Sequence, residues 1–347
     1  MNRHCFLVAA FIVSLSAVVF AQSQTQRFQV AGVTRTYIVY APTGLNNPPL
    51  VFNIHGYNMT ATLEQSICKM DKIADREKFI VVYPNAIDKS WDMSGANDFT
   101  FLLAIIDTMD AKYHIDRNRI YATGFSQGGF MDFQLACKYA DIFAAIAPTS
   151  GLLSGTCKLK RPVPMFLTFG TDDVATPAQF MASVNSWLKL DSCPSTPVVT
   201  RPYPSTNAQS VVTRLYYGPC AQGSEVVVDS VFGGPHEWPM NTTTKVNNSE
   251  EVWAFFKKFS LKGASAITRQ TFSVTHDAVS ASYSSGIVRL KGVGENFRVR
   301  VVDTKGRLAA IATVAQRQIT FKDKPSGVYV VMASENDRPV AIRMVIP

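Results

Sequence analysis

The feature that most constrains this chain is a regular alternation of strand-like and helix-like segments between residues 27 and 263. Short apolar runs such as PPLVFNIHG, FIVVYP and VPMFLTFG alternate with longer segments that carry apolar residues at helical spacing, such as NDFTFLLAIIDTMDAKY. Nearly continuous apolar runs are typical of strands buried on both faces of a parallel sheet. The alternation therefore predicts an α/β fold, with a mostly parallel sheet covered by helices on both faces.

The pattern changes after residue 264. Six short segments, from GIVRLKG to PVAIRMVIP, have alternating apolar and polar residues and are separated by Gly, Asp, Asn or Pro. They predict a small C-terminal antiparallel β-sandwich-like domain over residues 264–347, after a principal domain over residues 27–262. Residues 264–347 hold 12 basic and 6 acidic residues, so the tail carries most of the net charge of +8. The nearly neutral principal domain argues against a nucleic-acid partner, because a basic groove is expected there.

The N-terminus predicts export. Arg3 precedes the apolar run CFLVAAFIVSLSAVVF, and small residues follow near Ala21. This order is typical of a secretory signal peptide, here residues 1–21, and not of a membrane anchor. No later apolar run is long enough to span a bilayer. We expect a secreted protein without a membrane span.

Cysteine usage agrees with export. Five cysteines remain after the signal peptide and none forms a C-x-x-C pair, so disulfides are expected rather than zinc or redox chemistry. The predicted pairs are Cys193–Cys220, which flank an insertion rich in Pro, Ser and Thr, and Cys137–Cys157, which leaves Cys68 free. The histidines are scattered without ligand spacing, so neither a metal nor another cofactor is expected.

The segment GFSQGG, residues 124–129, fits the nucleophile-elbow pattern G-x-S-x-G around Ser126. The predicted strand RIYATGF precedes it and the predicted helix GGFMDFQLACKYA follows it. Because this is the context that an elbow requires, Ser126 is the candidate nucleophile. The alternative is that Ser126 is only a turn residue, but a turn residue would not need a strand before it and a helix after it.

The acid and the base of a serine triad follow Ser126 in the order that α/β-hydrolases use. Asp172 and Asp173 come directly after the strand VPMFLTFG, and His236 lies on a glycine-rich loop after the strand EVVVDSVFGG. Both positions are carboxyl ends of strands, where open α/β sheets build their sites. The imidazole would take the serine proton, and a buried carboxylate would fix its tautomer. The residues alone do not decide whether Asp172 or Asp173 is the acid of the triad.

An oxyanion hole needs two preorganised donors. The backbone N–H of Gln127, directly after the nucleophile, is the first candidate, and that of Tyr57, in the loop after FNIHG, is the second. Trp238 and Trp91 are candidates for stacking on a phenolic or sugar ring, although both also fit core positions. His55 is expected to be a structural hydrogen-bonding residue.

Over residues 30–260 the sequence resembles carbohydrate esterase family 1 and the polyhydroxybutyrate-depolymerase-like hydrolases. The resemblance rests on the segments NIHGY, SWDMSGANDFTFL, HIDRNRIYATGFSQGGFMDFQLACKYADIFAAIAPTSG, FGTDD and GGPHEWP. It implies an α/β-hydrolase fold and a triad of Ser126, His236 and, by its place after the glycine of FGTDD, Asp173. Two positions depart from the pattern: Phe169 replaces a histidine, and Tyr57 replaces a frequent cysteine.

The family resemblance implies a serine esterase acting on feruloylated or acetylated plant cell-wall polysaccharide. Feruloyl ester cleavage is the first expectation, xylan deacetylation the second and polyhydroxybutyrate depolymerisation the third. A peptidase, and a non-catalytic carbohydrate-binding or adhesion protein on the same fold, are the other classes. The tail segments VRVVDTKGRL and GVYVVMASENDRPVAIRMVIP resemble type IX secretion sorting modules, which implies secretion machinery as a partner and attachment at the cell surface.

Overall fold

The computed structural model describes residues 22–30, 32–240 and 245–261, together with the backbone of seven strands between residues 280 and 346. The predicted signal peptide lies outside the described residues. The chain divides into two compact units, Met1–Ile267 and Thr268–Pro347. Within the described part, no helix is long and apolar enough to cross a membrane.

A ten-stranded sheet forms the centre of the first unit, in the order β1-β2-β4-β3-β5-β6-β7-β10-β9-β8. The six inner strands from β4 to β10 are parallel, and the two strands at each edge run antiparallel to their neighbours. The strands are β1 (Gln22–Val30), β2 (Val33–Ala41), β3 (Leu50–Ile54), β4 (Ile80–Pro84), β5 (Ile120–Phe125), β6 (Ala145–Thr149), β7 (Met165–Gly170), β8 (Val198–Thr200), β9 (Val212–Tyr217) and β10 (Val226–Val231).

Six helices cover the sheet. They are α1 (Ala61–Cys68), α2 (Asp71–Glu77), α3 (Asn97–Tyr113), α4 (Gln127–Tyr139), α5 (Pro177–Leu190) and α6 (Asn248–Phe256). Phe52 of β3 packs into a core with α3, α4 and α5, whereas Val51 packs into a second core with α1, α2 and α6. Successive strand residues point to opposite faces, so the sheet separates two hydrophobic layers. The α/β fold with helices on both faces is thus as predicted.

Four details differ from the sequence-based expectation. The predicted helix LEQSICKMDKIADREK is two helices, because Lys69 has φ 53 and ends α1. Helix α3 has Ala96 at its N-cap, not Asn97 or Asp98; Asp98 is buried and accepts a 2.5 Å hydrogen bond from Arg35. Strand β1 begins before the predicted domain boundary, and the Pro/Ser/Thr-rich insertion contains strands β8 and β9. These strands form by pairing with neighbouring strands of the sheet, although the local alternation of apolar and polar residues in them is weak.

The structure contains the disulfides Cys137–Cys157 and Cys193–Cys220, the two pairs expected from the sequence, and Cys68 is a buried free thiol. The first joins α4 to the loop after β6. The second joins the end of α5 to the segment after β9. Both therefore link helices to loops of the principal sheet.

The second unit contains two antiparallel sheets, with strand orders β11-β12-β15 and β14-β13-β16-β17. Their strands are β11 (Ser280–Ser284), β12 (Ile287–Lys291), β13 (Arg298–Asp303), β14 (Leu308–Ala312), β15 (Gln318–Thr320), β16 (Gly327–Glu335) and β17 (Arg338–Ile346). The antiparallel β-sandwich-like domain expected over residues 264–347 stays a prediction.

Candidate active site

Ser126 occupies a sharp turn between β5 and α4. Its backbone has φ 55 and ψ −117, which a non-glycine residue rarely adopts. The flanking glycines are required by close approach: a Cβ at Gly128 would lie 1.9 Å from the carbonyl oxygen of Ile54, and one at Gly124 would lie 2.6 Å from it. Ser126 N–H also donates to the Thr149 carbonyl at 2.9 Å. The elbow is therefore held tightly against β3 and β6.

Asp173 and His236 meet by a direct hydrogen bond. His236 Nδ1 lies 2.8 Å from Asp173 Oδ1, and the Asp173 side chain is fully buried whereas that of His236 is 28% exposed. Because a carboxylate only accepts, Nδ1 carries the proton of this hydrogen bond, and Nε2 takes no part in it. Asp172 is exposed and contacts Thr171 instead. The geometry thus pairs the histidine with Asp173 and not with Asp172.

The glycine-rich loop before His236 allows this pairing. A Cβ at Gly170 would lie 2.0 Å from the Gly234 carbonyl oxygen, so the end of β7 and the loop after β10 touch backbone to backbone. Asp172 N–H donates to the same carbonyl at 3.0 Å. Any side chain at Gly170 would push the histidine loop away from Asp173.

Ser150 is a member of the site that sequence reasoning missed. Its hydroxyl donates to Asp173 Oδ2 at 2.6 Å, and its backbone has φ 54. Ala175 N–H adds a 3.3 Å contact to Asp173 Oδ1. Ser150 directly follows β6, as Ser126 follows β5. That position after a buried parallel strand was the available signal.

The strand order brings these residues together. Strands β5, β6, β7 and β10 are consecutive neighbours in the sheet, and each carries one site residue just beyond its carboxyl end. The His236 ring lies 4.7 Å, centroid to centroid, from the ring of Phe125, the residue before Ser126. The imidazole is thus adjacent to the elbow, while its acid is buried behind it.

The loop after β3 lies against the nucleophile. A Cβ at Gly56 would lie 3.1 Å from Ser126 Cβ, which places the neighbouring Tyr57 beside the serine. The Gln127 side chain is engaged elsewhere: its Oε1 accepts from Trp91 N–H at 3.0 Å and its Nε2 donates to Ser90 Oγ at 3.2 Å. It fastens the loop after β4 to the elbow, a role that the sequence did not indicate.

The two tryptophans are core residues, which corrects the expectation that they stack on a substrate. Trp91 is 3% exposed and Trp238 is 6% exposed. Each indole N–H has a protein acceptor, the His55 carbonyl at 2.8 Å for Trp91 and Ser249 Oγ at 3.0 Å for Trp238. Neither ring offers a free face to a ligand, because packing covers both.

His55 is fully buried beneath the Gly56–Tyr57 loop. Its Nε2 accepts a 3.1 Å hydrogen bond from Ala86 N–H, and its Nδ1 lies 2.7 Å from the Gly56 carbonyl oxygen. Burial lowers the pKa of the imidazole, although the Gly56 carbonyl opposes the shift. Because Ala86 N–H donates to Nε2, that nitrogen has a lone pair, and these contacts fit the structural hydrogen-bonding role expected for His55. Among the described residues, no group of three or more His, Cys, Asp or Glu is arranged to hold a metal ion.

Comparisons with known proteins agree with this architecture. The family model described as esterase PHB depolymerase matches residues 35–161. An acetyl xylan esterase from Aspergillus awamori superposes with a TM-score of 0.55 at 18% identity, over 67% of this chain and 99% of that one. This likeness shows the fold, which is α/β-hydrolase-like.

Several curated relatives are named as feruloyl or acetylxylan esterases. A bifunctional acetylxylan esterase/xylanase of Neocallimastix patriciarum is 33% identical over 67% of this chain and 34% of its own length. Feruloyl esterase B of Piromyces equi is 28% identical over 65% of this chain and 46% of its own length. Feruloyl esterase D of Neurospora crassa is 29% identical over 68% of this chain and 86% of its own length. The chain thus spans between a third and a half of the first two relatives.

Proposed function

We propose that this protein is a secreted serine esterase that removes ester-linked groups from plant cell-wall polysaccharide. The observation that carries the proposal is the His236–Asp173 hydrogen bond beside the strained Ser126 elbow. A serine hydroxyl becomes nucleophilic when a neutral, oriented imidazole accepts its proton. The name of one relative supports ester chemistry on xylan, and that of another supports cleavage of feruloyl esters.

The reaction follows from the roles of these groups. Ser126 Oγ attacks the ester carbonyl carbon while His236 Nε2 takes the hydroxyl proton. The resulting oxyanion is stabilised by the backbone N–H groups of Gln127 and Tyr57. As the C–O bond of the ester breaks, His236 returns the proton to the leaving alcohol, and an acyl-enzyme remains. Water, deprotonated by His236, then releases the carboxylic acid and restores Ser126. Asp173 stabilises the transient imidazolium.

The surface around the site favours an aromatic acyl group, and we propose feruloyl esters as the preferred substrates. Three large apolar side chains on the loops of the site are exposed: Tyr57 at 68%, Val174 at 85% and Phe232 at 68%. They neighbour the second oxyanion donor, the acid and the histidine loop. We call them the apolar rim. An acetyl group is too small to use such a surface, whereas a phenolic ring would cover part of it.

Comparing wild-type protein and Ser126→Ala on methyl ferulate, acetylated xylan and polyhydroxybutyrate tests the proposal. We expect hydrolysis of methyl ferulate to be fastest and to fall by at least about 10⁴-fold in the variant. Preference for acetylated xylan or the polyester would replace the feruloyl assignment. Hydrolysis that survives in Ser126→Ala would refute the assignment of Ser126 as the nucleophile. Absence of ester hydrolysis in the wild type would favour a peptidase or a binding protein.

The rim has its own test. Phe232→Ala should lower kcat/KM on methyl ferulate about 2–10-fold, because one aromatic contact is worth about 0.5–1.5 kcal/mol, and should leave that on 4-nitrophenyl acetate almost unchanged. Val198→Ala, an exposed apolar residue on the edge strand β8, is the matched control. Equal losses on both esters would mean that the rim does not select the acyl group.

For the remaining regions we propose the roles that the sequence suggested. Residues 1–21 direct export, and residues 264–347 act in secretion or attachment through the secretion machinery and carry no group of the triad. The two disulfides are consistent with an oxidising location. Fractionation of cells expressing the chain with and without residues 264–347 would show whether the tail determines release or surface retention.

A further inference from the structure

Helix α6 begins at a fully buried asparagine, Asn248, whose side chain lies against two neighbouring strands of the sheet. Its Nδ2 donates to Thr149 Oγ1 at 2.8 Å, and its Oδ1 accepts from Thr168 Oγ1 at 2.8 Å. Thr149 ends β6 and Thr168 lies in β7, and the two threonines are paired in the register of these strands. The side-chain amide therefore bridges β6 and β7 close to their carboxyl ends.

Both threonines hold residues of the candidate active site through their backbone. The Thr149 carbonyl accepts the hydrogen bond from Ser126 N–H at 2.9 Å. The Thr168 carbonyl accepts another, from Ser150 N–H at 2.8 Å, and the Ser150 hydroxyl donates to Asp173. The nucleophile and the acid of the triad are thus each connected to the amide that bridges the two threonines.

The same end of α6 holds the loop that carries His236. Asn248 N–H donates at 2.9 Å to the carbonyl of Pro239, which lies three residues after the histidine. The next residue of the helix, Ser249, accepts from the indole N–H of Trp238 at 3.0 Å. The start of α6 therefore binds the segment after the histidine by one backbone and one side-chain hydrogen bond.

The burial of Asn248 gives these contacts their importance. A buried amide is strongly unfavourable unless both of its polar atoms have hydrogen-bond partners, so the side chain is confined to the position in which both are satisfied. A fully satisfied buried polar network makes its surroundings rigid. With 0% of its surface exposed, Asn248 has no contact with a substrate. Any effect of this residue on the reaction must therefore pass through the groups that it holds.

We infer that Asn248 is a positioning residue of the triad. Its side-chain amide fixes the ends of β6 and β7, and its backbone N–H fixes the loop after His236, so that the three triad groups stay at reacting distance. This role rests on the proposed esterase function. A misplacement of about 1 Å, caused by a change far from the chemistry, can lower a rate about 100-fold. Asn248 thus determines kcat without contacting the substrate.

Replacing Asn248 by alanine removes the amide and keeps the backbone of the helix. We expect Asn248→Ala to lower kcat on methyl ferulate about 10–100-fold and to leave KM within about twofold, because it loosens the triad and not the substrate contacts.

Asn247→Ala is the matched control. The neighbouring asparagine caps the same helix, and its side chain accepts a hydrogen bond from Glu250 N–H at 3.3 Å. Because loss of an N-cap lowers stability without moving the triad, we expect kcat of Asn247→Ala within about threefold of wild type. Equal losses of kcat in the two variants would assign the effect to the stability of the helix and would overturn the inference.

Two threonine variants cover the case in which Asn248→Ala does not fold. Thr149→Val and Thr168→Val each remove one hydroxyl that binds the amide and keep a branched side chain of similar size. Each should lower kcat about 3–10-fold at unchanged KM, because one of the two bridging hydrogen bonds remains. Wild-type kcat in both valine variants would overturn the inference.

Proton NMR of His236 Nδ1–H gives a readout that a purely structural role would not move and that needs no ester substrate. The hydrogen bond to Asp173 protects this proton from exchange with water. Its low-field resonance should weaken in Asn248→Ala and persist in Asn247→Ala. An unchanged resonance in Asn248→Ala would contradict the positioning role. Absence of ester hydrolysis in the wild type would instead refute the proposed function, and the NMR comparison would still decide the role of Asn248.

Discussion

Asp173 and two other acids, Glu64 on α1 and Asp132 on α4, have side chains buried to a similar degree but different surroundings. Asp173 accepts hydrogen bonds from His236, Ser150 and Ala175. None of the four oxygens of Glu64 and Asp132 accepts a hydrogen bond of normal geometry among the described residues, although the Gly124 N–H faces Asp132. We call Glu64 and Asp132 the unpartnered acid pair.

The comparison shows that donors, and not burial, make a carboxylate useful to a site. Burial raises the pKa of both members of the unpartnered pair well above the usual range, and for Asp132 the nearby Glu64 adds to the shift while Gly124 opposes it. These groups therefore favour the neutral form in the folded protein. The three donors around Asp173 instead fix the direction of its carboxyl group toward His236, which is the geometry that a triad requires.

The largest expected effect is a difference in activity between substitution of Asp173 and substitution of the unpartnered acid pair. Asp173→Asn should lower kcat on methyl ferulate about 10⁴-fold, because an amide does not hold His236 in the required tautomer. The neighbouring Asp172→Asn is the matched control and should change kcat less than about threefold. Asp132→Asn should also stay near wild type. A larger loss from Asp172→Asn than from Asp173→Asn would contradict the assignment of the acid.

A smaller effect is expected from removing one donor to Asp173. Ser150→Gly deletes the hydroxyl and suits the φ of 54 better than serine does, so it separates the hydrogen bond from backbone strain. We expect kcat/KM to fall about 10–100-fold, in line with the about 1.5–3 kcal/mol of a hydrogen bond to a charged group. Ser150→Ala should show the same loss. Wild-type activity in both variants would mean that two donors are sufficient for Asp173.

The unpartnered pair should control stability rather than activity. A carboxyl whose folded-state pKa is raised contributes stability that is present below about pH 4 and is lost as pH rises toward the folded-state pKa. The free energy of unfolding of the wild type should therefore decline between pH 5 and 8. Glu64→Gln and Asp132→Asn cannot ionise, so each should flatten this decline and raise the free energy of unfolding at pH 8 above that of the wild type.

Urea unfolding of wild type and both variants at pH 5 and pH 8 measures this effect. Asp107→Asn, an exposed acid that pairs with Arg117 at the surface, is the control and should leave the pH dependence unchanged. An equal decline in wild type and the two variants would show that the buried pair has found donors outside those described.

The smallest effect should follow removal of the tail. Asp173, His236 and the unpartnered acid pair all lie within residues 1–267. A chain ending at Gly263 keeps the hydrogen bond of Tyr121 to the Phe259 carbonyl and that of Leu261 to Asn118. We expect kcat/KM on methyl ferulate within twofold of the full chain. Loss of activity in a shortened chain that remains folded, by circular dichroism, would show that the tail contributes to the site.

Much of the architecture could be read from local sequence. The apolar runs predicted the inner strands, the segment NDFTFLLAIIDTMDAKY predicted α3 with its observed bounds, and GFSQGG predicted the elbow. These features depend on periodicity and on close backbone approach at glycines, which local sequence records. Strands β8 and β9 depend instead on pairing with distant segments, and the pattern of their residues did not reveal them.

The sequence by itself determined the α/β alternation, the elbow at Ser126 and the order of acid and histidine, because each follows from residues close together in the chain. Only the tertiary structure showed the hydrogen bond between Asp173 and His236, added Ser150 as a donor to Asp173, and placed Trp91 and Trp238 in the core. Each of these depends on which strands lie side by side and on where a side chain finds its hydrogen-bond partner. Asp173 finds its partners Ser150 and His236 at distances of 23 and 63 residues along the chain, where no local pattern specifies them.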